Sequence, residues 1–269
     1  MHRIAILAAF SSLLFRASIL DAGTATQQFT VVKDPQAVTI IQATVTAMGG
    51  TPAVLSYQDS VASGTLTVYG GNSPSTLPIT LKCKGTQETR VELQKSNGTT
   101  VRIVNTGQGV IERPEGTVIH LTMNNTIAER VNHIPLLSIF GEYLNGNISV
   151  QYKGTAQVNG QSTSIVAVSY VPTTDPVQGP IYSSMTQTLF YVDQATGLID
   201  KIQYSSYDET NSNSTQKVEI YLGNYQTVNG ISVPFHQTTY TDGALYSDLV
   251  LSSVSFNVGL LDSEFILPN

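Results

Sequence analysis

Cysteine, tryptophan and charge are all scarce in this chain. Cys83 is the only cysteine among 269 residues, so no internal disulfide can form, and its expected role is that of a small buried hydrophobe. Tryptophan is absent and phenylalanine occurs 8 times, which counts against a sugar-stacking cleft and so against a glycosidase or a carbohydrate-binding module. Charged residues make up 12% of the chain and the net charge is −6; without a cluster of Lys and Arg there is no footprint for nucleic acid. Catalytic signatures are missing as well. There is no Gly-x-Ser-x-Gly elbow, no Ser-x-x-Lys and no glycine loop that would cradle a phosphate. His2 lies in the leader, and His120, His133 and His236 stand alone, without partners at metal-ligand spacing. The carboxylate pairs Asp208-Glu209 and Glu112 with Glu115 sit in polar, turn-like segments where solvated acids are expected. The expectation is a non-enzymatic protein with no cofactor and no metal.

No apolar run reaches the ~20 residues that cross a bilayer. The longest, residues 4–15, follows the basic start Met1-His2-Arg3 and precedes small residues at Ala22 and Ala25. This predicts a signal peptide over 1–25, cleaved near 22–25, and a single domain over 26–269 that is exported to the periplasm or the outside and has no transmembrane segment. Asn-x-Ser/Thr matches at Asn97, Asn124, Asn147 and Asn213 become glycan acceptors only in a eukaryotic secretory pathway.

What the chain does have is alternation. One helix precedes it: in residues 34–50 Asp34 can cap, Pro35 suits the first turn, Gly49-Gly50 suits the exit, and Val38, Ile41, Val45 and Met48 recur at helical spacing. That stripe either covers one end of a sheet or forms a plug that competes with a ligand. From Asp59 the period becomes two. Leu66 and Val68, then Leu77, Ile79, Leu81 and Cys83, then Val91 and Leu93, then Val101 and Ile103 alternate with polar residues across turns such as Asn97-Gly98. Short strands follow at 110–111 and 117–123.

Residues 124–145 break the pattern. Asn125 or Thr126 could cap a short helix, and residues 134–140 could form a second one with Pro135 in its first turn. This insert reads as a helical lid or plug. Strands resume at 148–153 and 164–170. Pro172, Pro176 and Pro180 then exclude a ladder strand from residues 171–184, leaving a long rim loop that is either structural or gating. An antiparallel meander closes the chain: 188–192 turns through Asp193 and Gly197 into 198–207, and 217–222 turns at Asn229-Gly230 into 231–240, with 245–257 last.

The expected fold is mainly β, a curved antiparallel sheet forming an open half-barrel of about ten or eleven strands, its concave face covered by the N-terminal helix and the helical insert. The order of parts resembles the LolA/LolB-like periplasmic lipoprotein carriers. The likeness rests on residues 79–116, with Lys82-Cys83-Lys84-Gly85, Thr89-Arg90-Val91-Glu92-Leu93, Asn97-Gly98 and residues 105–109. It rests also on residues 191–198 and 225–235, which match the family's Asp-x-x-Thr-Gly hairpin and Tyr-x-x-Val-x-Gly segment. Lys84 stands where those carriers place the arginine that fastens their lid, and Val110 stands where an aromatic follows the turn.

The resemblance implies a non-enzymatic carrier, a monomer whose partner is a lipid or an acylated protein. The expected lining of the groove is Leu66, Val68, Leu81, Val91, Leu93, Ile103, Leu189 and Tyr191 from the sheet, with Leu136, Leu137 and Phe140 from the insert and Lys84 as the lid contact. The alternative is a structural module of the cell envelope whose groove is filled by its own side chains.

Overall fold

A computed structural model describes residues 29–69, 73–136, 142, 146–208 and 213–268. The expected signal peptide over 1–25 lies outside the described residues. No helix among the described residues is long and apolar enough to cross a membrane.

The first helix, α1 (Pro35–Ala47), begins where the sequence predicts. The Asp34 carboxylate accepts from the backbone N–H of Gln36 at 2.8 Å and of Ala37 at 3.3 Å. Its other oxygen accepts from Tyr152 N at 3.2 Å, so the cap also ties the helix to the sheet. Ala37, Ile41 and Thr44 are buried along one stripe, which continues into Met48. Gly49 then takes φ 137°, and a second helix, α2 (Gly50–Ser56), follows where no helix was expected. A side chain at Gly49 would come within 2.7 Å of Gly230 O, so glycine is required there by φ and by space alike.

The described residues form 13 strands in one antiparallel sheet: β1 (Asp59–Val68), β2 (Ser75–Lys84), β3 (Glu88–Lys95), β4 (Gly98–Asn105), β5 (Gln108–Glu112), β6 (Val118–His120), β7 (Ile148–Val158), β8 (Gln161–Tyr170), β9 (Thr188–Asp193), β10 (Ile199–Tyr207), β11 (Thr215–Val228), β12 (Ile231–Thr241) and β13 (Ala244–Phe256). That is more than the ten or eleven expected. The shortest, β5 and β6 with 5 and 3 residues, fall where short strands were expected at 110–111 and 117–123.

Two meanders meet in the middle of the sheet. β1 pairs with β13, strands β2 to β6 run outward on one side, and β12 back to β7 run outward on the other. β6 and β7 are therefore the opposite edges. The segment around Lys33 partly covers the β7 edge: Val32 O accepts from Val150 N at 2.8 Å and Asp34 N donates to Val150 O at 3.0 Å. Where β1 meets β13 the register slips between Ser63 and Gly64, and a Cβ at Gly64 would lie 2.2 Å from Val250 O. The bulge closes only over glycine.

The insert joins one edge strand to the other and so crosses the concave face. Helix α3 (Met123–Ala128) is capped by Thr122, whose hydroxyl accepts from Asn125 N at 3.2 Å, and not by Asn125 or Thr126. Thr122 has the extended backbone that a cap requires. The 3-10 turn Glu129–Asn132 follows, and the Ile134–Pro135 peptide is cis. The second predicted helix, over 134–140, lies mostly outside the described residues. The proline-rich segment is not all loop: α4 (Gln178–Met185) forms there, with Asp175 accepting from Val177 N and Gln178 N at 2.8 Å each. Pro180 falls in its first turn, where a missing N–H costs nothing.

An apolar groove and its fastened lid

Strand pairing decides which predicted residues share a face. Ala62 pairs with Leu81 and Leu81 with Val91; Leu66 pairs with Leu77 and Leu249. On the other arm Phe190 pairs with Val166 and Ile202, and Ile202 with Ile220. All of these except Leu77 belong to one cluster with Ile41 and Met48 of the α1 region and Val131, Ile134 and Leu136 of the insert. The concave face thus gathers Leu66, Leu81, Val91, Leu93 and Leu136 from the predicted lining. Val68 continues the same face at the end of β1, opposite Ser75 and Ser247, beyond the apolar cluster. Leu137 and Phe140 lie outside the described residues.

Ile103, Leu189, Tyr191 and Lys84 are corrections. Ile103 pairs with Arg90 and Val110, one residue out of phase with Val91, and packs on the outer face against Val101, Val110 and Phe265. Leu189 and Tyr191 pair with Gln203 and Lys201, again outward, while Phe190 and Val192 point in. The physical reason is common to both strands. Val101-Arg102-Ile103-Val104 and Leu189-Phe190-Tyr191-Val192 are apolar in both phases or nearly so, and alternation cannot choose a face when both phases qualify. Lys84 fastens no lid. Its Nζ donates to Leu260 O at 2.9 Å and to the Asp262 carboxylate, holding the C-terminal segment on the outer face.

The lid is held by other groups. Ile134 O accepts from Tyr57 OH at 3.2 Å and from Ser60 Oγ, and Ile134 N donates to Cys83 Sγ at 3.3 Å. Arg130 pairs with Glu142, which also accepts from Thr86 Oγ1 and, at 2.8 Å, from Gln87 Nε2. Burial raises the Glu142 carboxyl, but Arg130 and the hydroxyl and amide donors outweigh it and hold the group below the usual range. On the concave face Arg102 pairs with Glu129, whose other oxygen accepts from Asn132 at 2.7 Å. Asn125 spans to the far arm, exchanging hydrogen bonds of 2.8 and 3.0 Å with the backbone of Tyr207.

His133 sits at the centre of this fastening, 2% exposed. One ring nitrogen lies 3.2 Å from Tyr57 OH and the other 3.3 Å from Thr89 Oγ1. Burial, and secondarily the Arg130 charge, push its pKa down to about 4, so the ring is neutral at physiological pH. Burial likewise pushes the Cys83 thiol up to about 11, which suits an inert acceptor better than a nucleophile. Reasoning from the sequence passed over His133, Arg130 and Glu142. The signal available was that Glu129, Arg130 and Glu142 are the charged residues of an insert whose 134–140 half carries no charge.

A small cavity of about 50 Å³ remains between the lid and β7–β9, lined by Ile127, Val131, Ile148, Val168 and Phe190, with Arg130 on its wall. The Arg130 Nε is buried without a hydrogen-bond partner among the described residues. Those residues contain no group of three or more His, Cys, Asp or Glu able to hold a metal ion. The chemistry on offer is apolar enclosure with a cation at its border.

No protein-family model and no curated protein matches the sequence. Solved structures do. An outer membrane lipoprotein-sorting protein domain from Vibrio parahaemolyticus superposes with a TM-score of 0.56 at 13% identity, over 86% of this chain and 96% of that one. A LolA superfamily protein from Nitrosomonas europaea gives 0.55 at 11% identity, over 86% and 97%. A DUF1329 family protein from Desulfovibrio piger gives 0.56 at 13% identity, over 87% and 98%. At such identities the likeness speaks for the fold alone. The chain has the fold of the LolA superfamily and of lipoprotein-sorting domains.

Proposed function

We propose that this chain is an exported, non-enzymatic, monomeric carrier or binding protein of the cell envelope that holds an acyl chain, from a lipid or a lipoprotein, between its concave sheet and its lid. The observation that carries this reading is the lid itself. The insert is tied down partly by buried contacts, of Ile134 with Ser60 and Cys83 and of His133 with Thr89, and partly by the half-buried Arg130–Glu142 pair, and it lies over an apolar sheet with a cavity beneath it. The partly exposed bonds of that fastening, Arg130 with Glu142 and Glu142 with Gln87, can be exchanged for water at little net cost, which suits a cover that opens and recloses. The name of the Vibrio parahaemolyticus structural relative supports the same ligand class.

The closed cavity is far smaller than the roughly 300–1,000 Å³ of a typical ligand site, so uptake requires lid displacement. That size also favours a second reading, a structural module whose core is filled by its own side chains. A reversible lock separates them. Ile134→Cys places a thiol beside Cys83, the sole native cysteine, and oxidation would pin the lid to β2. The carrier reading expects saturable binding of a fluorescent fatty acid by the reduced variant, loss of uptake when oxidised, and recovery on reduction. A wild-type protein that emerges bare from its own membrane fraction by native mass spectrometry, and also refuses the fatty acid, leaves the filled module.

A further inference from the structure

The outer face of the second arm carries a cup that the lid and groove do not use. Two neighbouring cross-strand rows build it. In one, Tyr191 pairs with Lys201, Lys201 with Tyr221, Tyr221 with Thr238 and Thr238 with Asp248. In the other, Gln203 pairs with Glu219 and Glu219 with Tyr240. The cup has a volume of about 450 Å³, is lined by Glu219, Tyr221, Thr238 and Tyr240, and is rimmed by Asn159 of the β7–β8 turn and Gly243 of the β12–β13 turn. This volume falls within the roughly 300–1,000 Å³ of small-molecule sites.

Its side chains are already fixed. Tyr221 and Tyr240 meet edge to face, with centroids 5.6 Å apart and planes at 80°. The Lys201 ammonium lies 4.0 Å from the Tyr191 ring centroid and 5.7 Å from that of Tyr221. It also donates to Glu219 at 3.1 Å, and the other Glu219 oxygen is 3.0 Å from Lys217. Thr238 Oγ1 donates to Asp248 at 2.9 Å, and Asp248 pairs with His236 at 2.7 Å. Lys201 and Lys217 share Glu219, and Asp248 is engaged by Thr238 and His236, so the charged groups beside the cup are already occupied with one another, which lessens the attraction for a free ion. What remains is aromatic edge and face, hydroxyls, an amide and a carboxylate in a shallow concave site.

We propose that this cup binds an uncharged saccharide. A sugar ring presents an apolar C–H face suited to tyrosine and a rim of hydroxyls suited to Glu219, Thr238 and Asn159. An apolar ligand would strand the polar wall, and an ion would have to break pairs that are already made. The absence of tryptophan does not exclude the site, because the platform is built from some of the 13 tyrosines. This inference stands apart from the acyl-chain reading, since the cup and the lid lie on opposite faces of the sheet.

Isothermal titration of the folded chain with maltotriose, cellotriose and chitotriose tests it. Saturable binding of at least one trisaccharide is expected, weakened about tenfold or more by Tyr240→Ala, a loss equivalent to about 1.4 kcal/mol, and retained by Tyr240→Phe. Fluorescent fatty-acid binding should be unchanged in both variants, and their thermal melts should show that the sheet is intact. Absence of heat with all three sugars at millimolar concentration overturns the proposal. So does binding that Tyr240→Ala leaves untouched, because the sugar would then sit elsewhere.

Discussion

Acidification should loosen the lid, and His133 sets the size of the effect. In the unfolded chain an imidazole titrates near 6.5; in the native structure burial and Arg130 push this one down to about 4. Between those values the unfolded chain binds a proton that the native protein refuses. Stability is therefore complete above pH 6.5, falls as the pH drops, and levels out near 4. The full gap is worth about 3 kcal/mol, of which about 2 kcal/mol is lost by about pH 5. The groups facing His133 cannot cancel this: Tyr57 and Thr89 are neutral hydroxyl partners, the Cys83 thiol is protonated, and Glu142 is already committed to Arg130. Raised carboxyls elsewhere act in the opposite sense, burial lifting Glu88 as well as Asp200. Burial and the neighbouring Asp193 raise Asp200 to about 6, so the native state gains stability as Asp200 protonates, by an amount reduced by its partial exposure.

The assay must therefore be a difference. Urea unfolding of the wild type and of His133→Gln is followed at about pH 7.5 and about pH 5, where titrations other than that of His133 cancel between the two proteins. The advantage of the wild type over the variant should shrink by about 2 kcal/mol on going to the lower pH. An advantage that does not change with pH refutes the reasoning. If the variant fails to fold, the His133 ring resonances of the wild type decide by NMR: they should keep their neutral shifts down to about pH 5.

The remaining predictions concern stability and ligand. Phe265 is fully buried on the outer face against Val101, Ile103 and Val110, so Phe265→Ala should cost about 3–5 kcal/mol in chemical unfolding. A loss under about 1 kcal/mol would mean that the C-terminal segment does not hold that face. Gly64→Ala should cost about 1–3 kcal/mol because the new methyl meets the Val250 carbonyl. Gly223→Ala, with nothing within 4 Å of the added Cβ, should stay within about 0.5 kcal/mol; equal melting temperatures for the two variants would contradict the bulge. The oxidised Ile134→Cys lock should stop fatty-acid uptake, and Tyr240→Ala should weaken saccharide binding about tenfold or more without affecting the fatty acid.

Much of the architecture was legible in the residues. Asp34-Pro35 and Gly49-Gly50 bounded α1, Asn229-Gly230 placed the β11–β12 turn, and Asp193 with Gly197 placed the β9–β10 turn, because each signal acts on its own backbone within a few residues. The inward phase of β2 and β3 was legible too, since Lys82, Lys84, Arg90 and Glu92 leave only one apolar phase. β4 and β9 gave no such clue. A second helix after Gly49 and a helix begun under Pro180 were hidden because their residues also suit turns.

The sequence by itself determined the class of fold, the order of its parts and most of its turns, all of which depend on local backbone preference and on period. Only the tertiary structure decided which face Ile103, Leu189 and Tyr191 occupy, that Lys84 holds the C-terminal segment, and that His133 and Glu142 fasten the lid. Those outcomes depend on pairing between segments far apart in the chain. Glu264 reaches Lys82 across 182 positions, and Ile134 reaches Ser60 across 74. A local pattern holds no information about such distances; the register of the folded sheet supplies it.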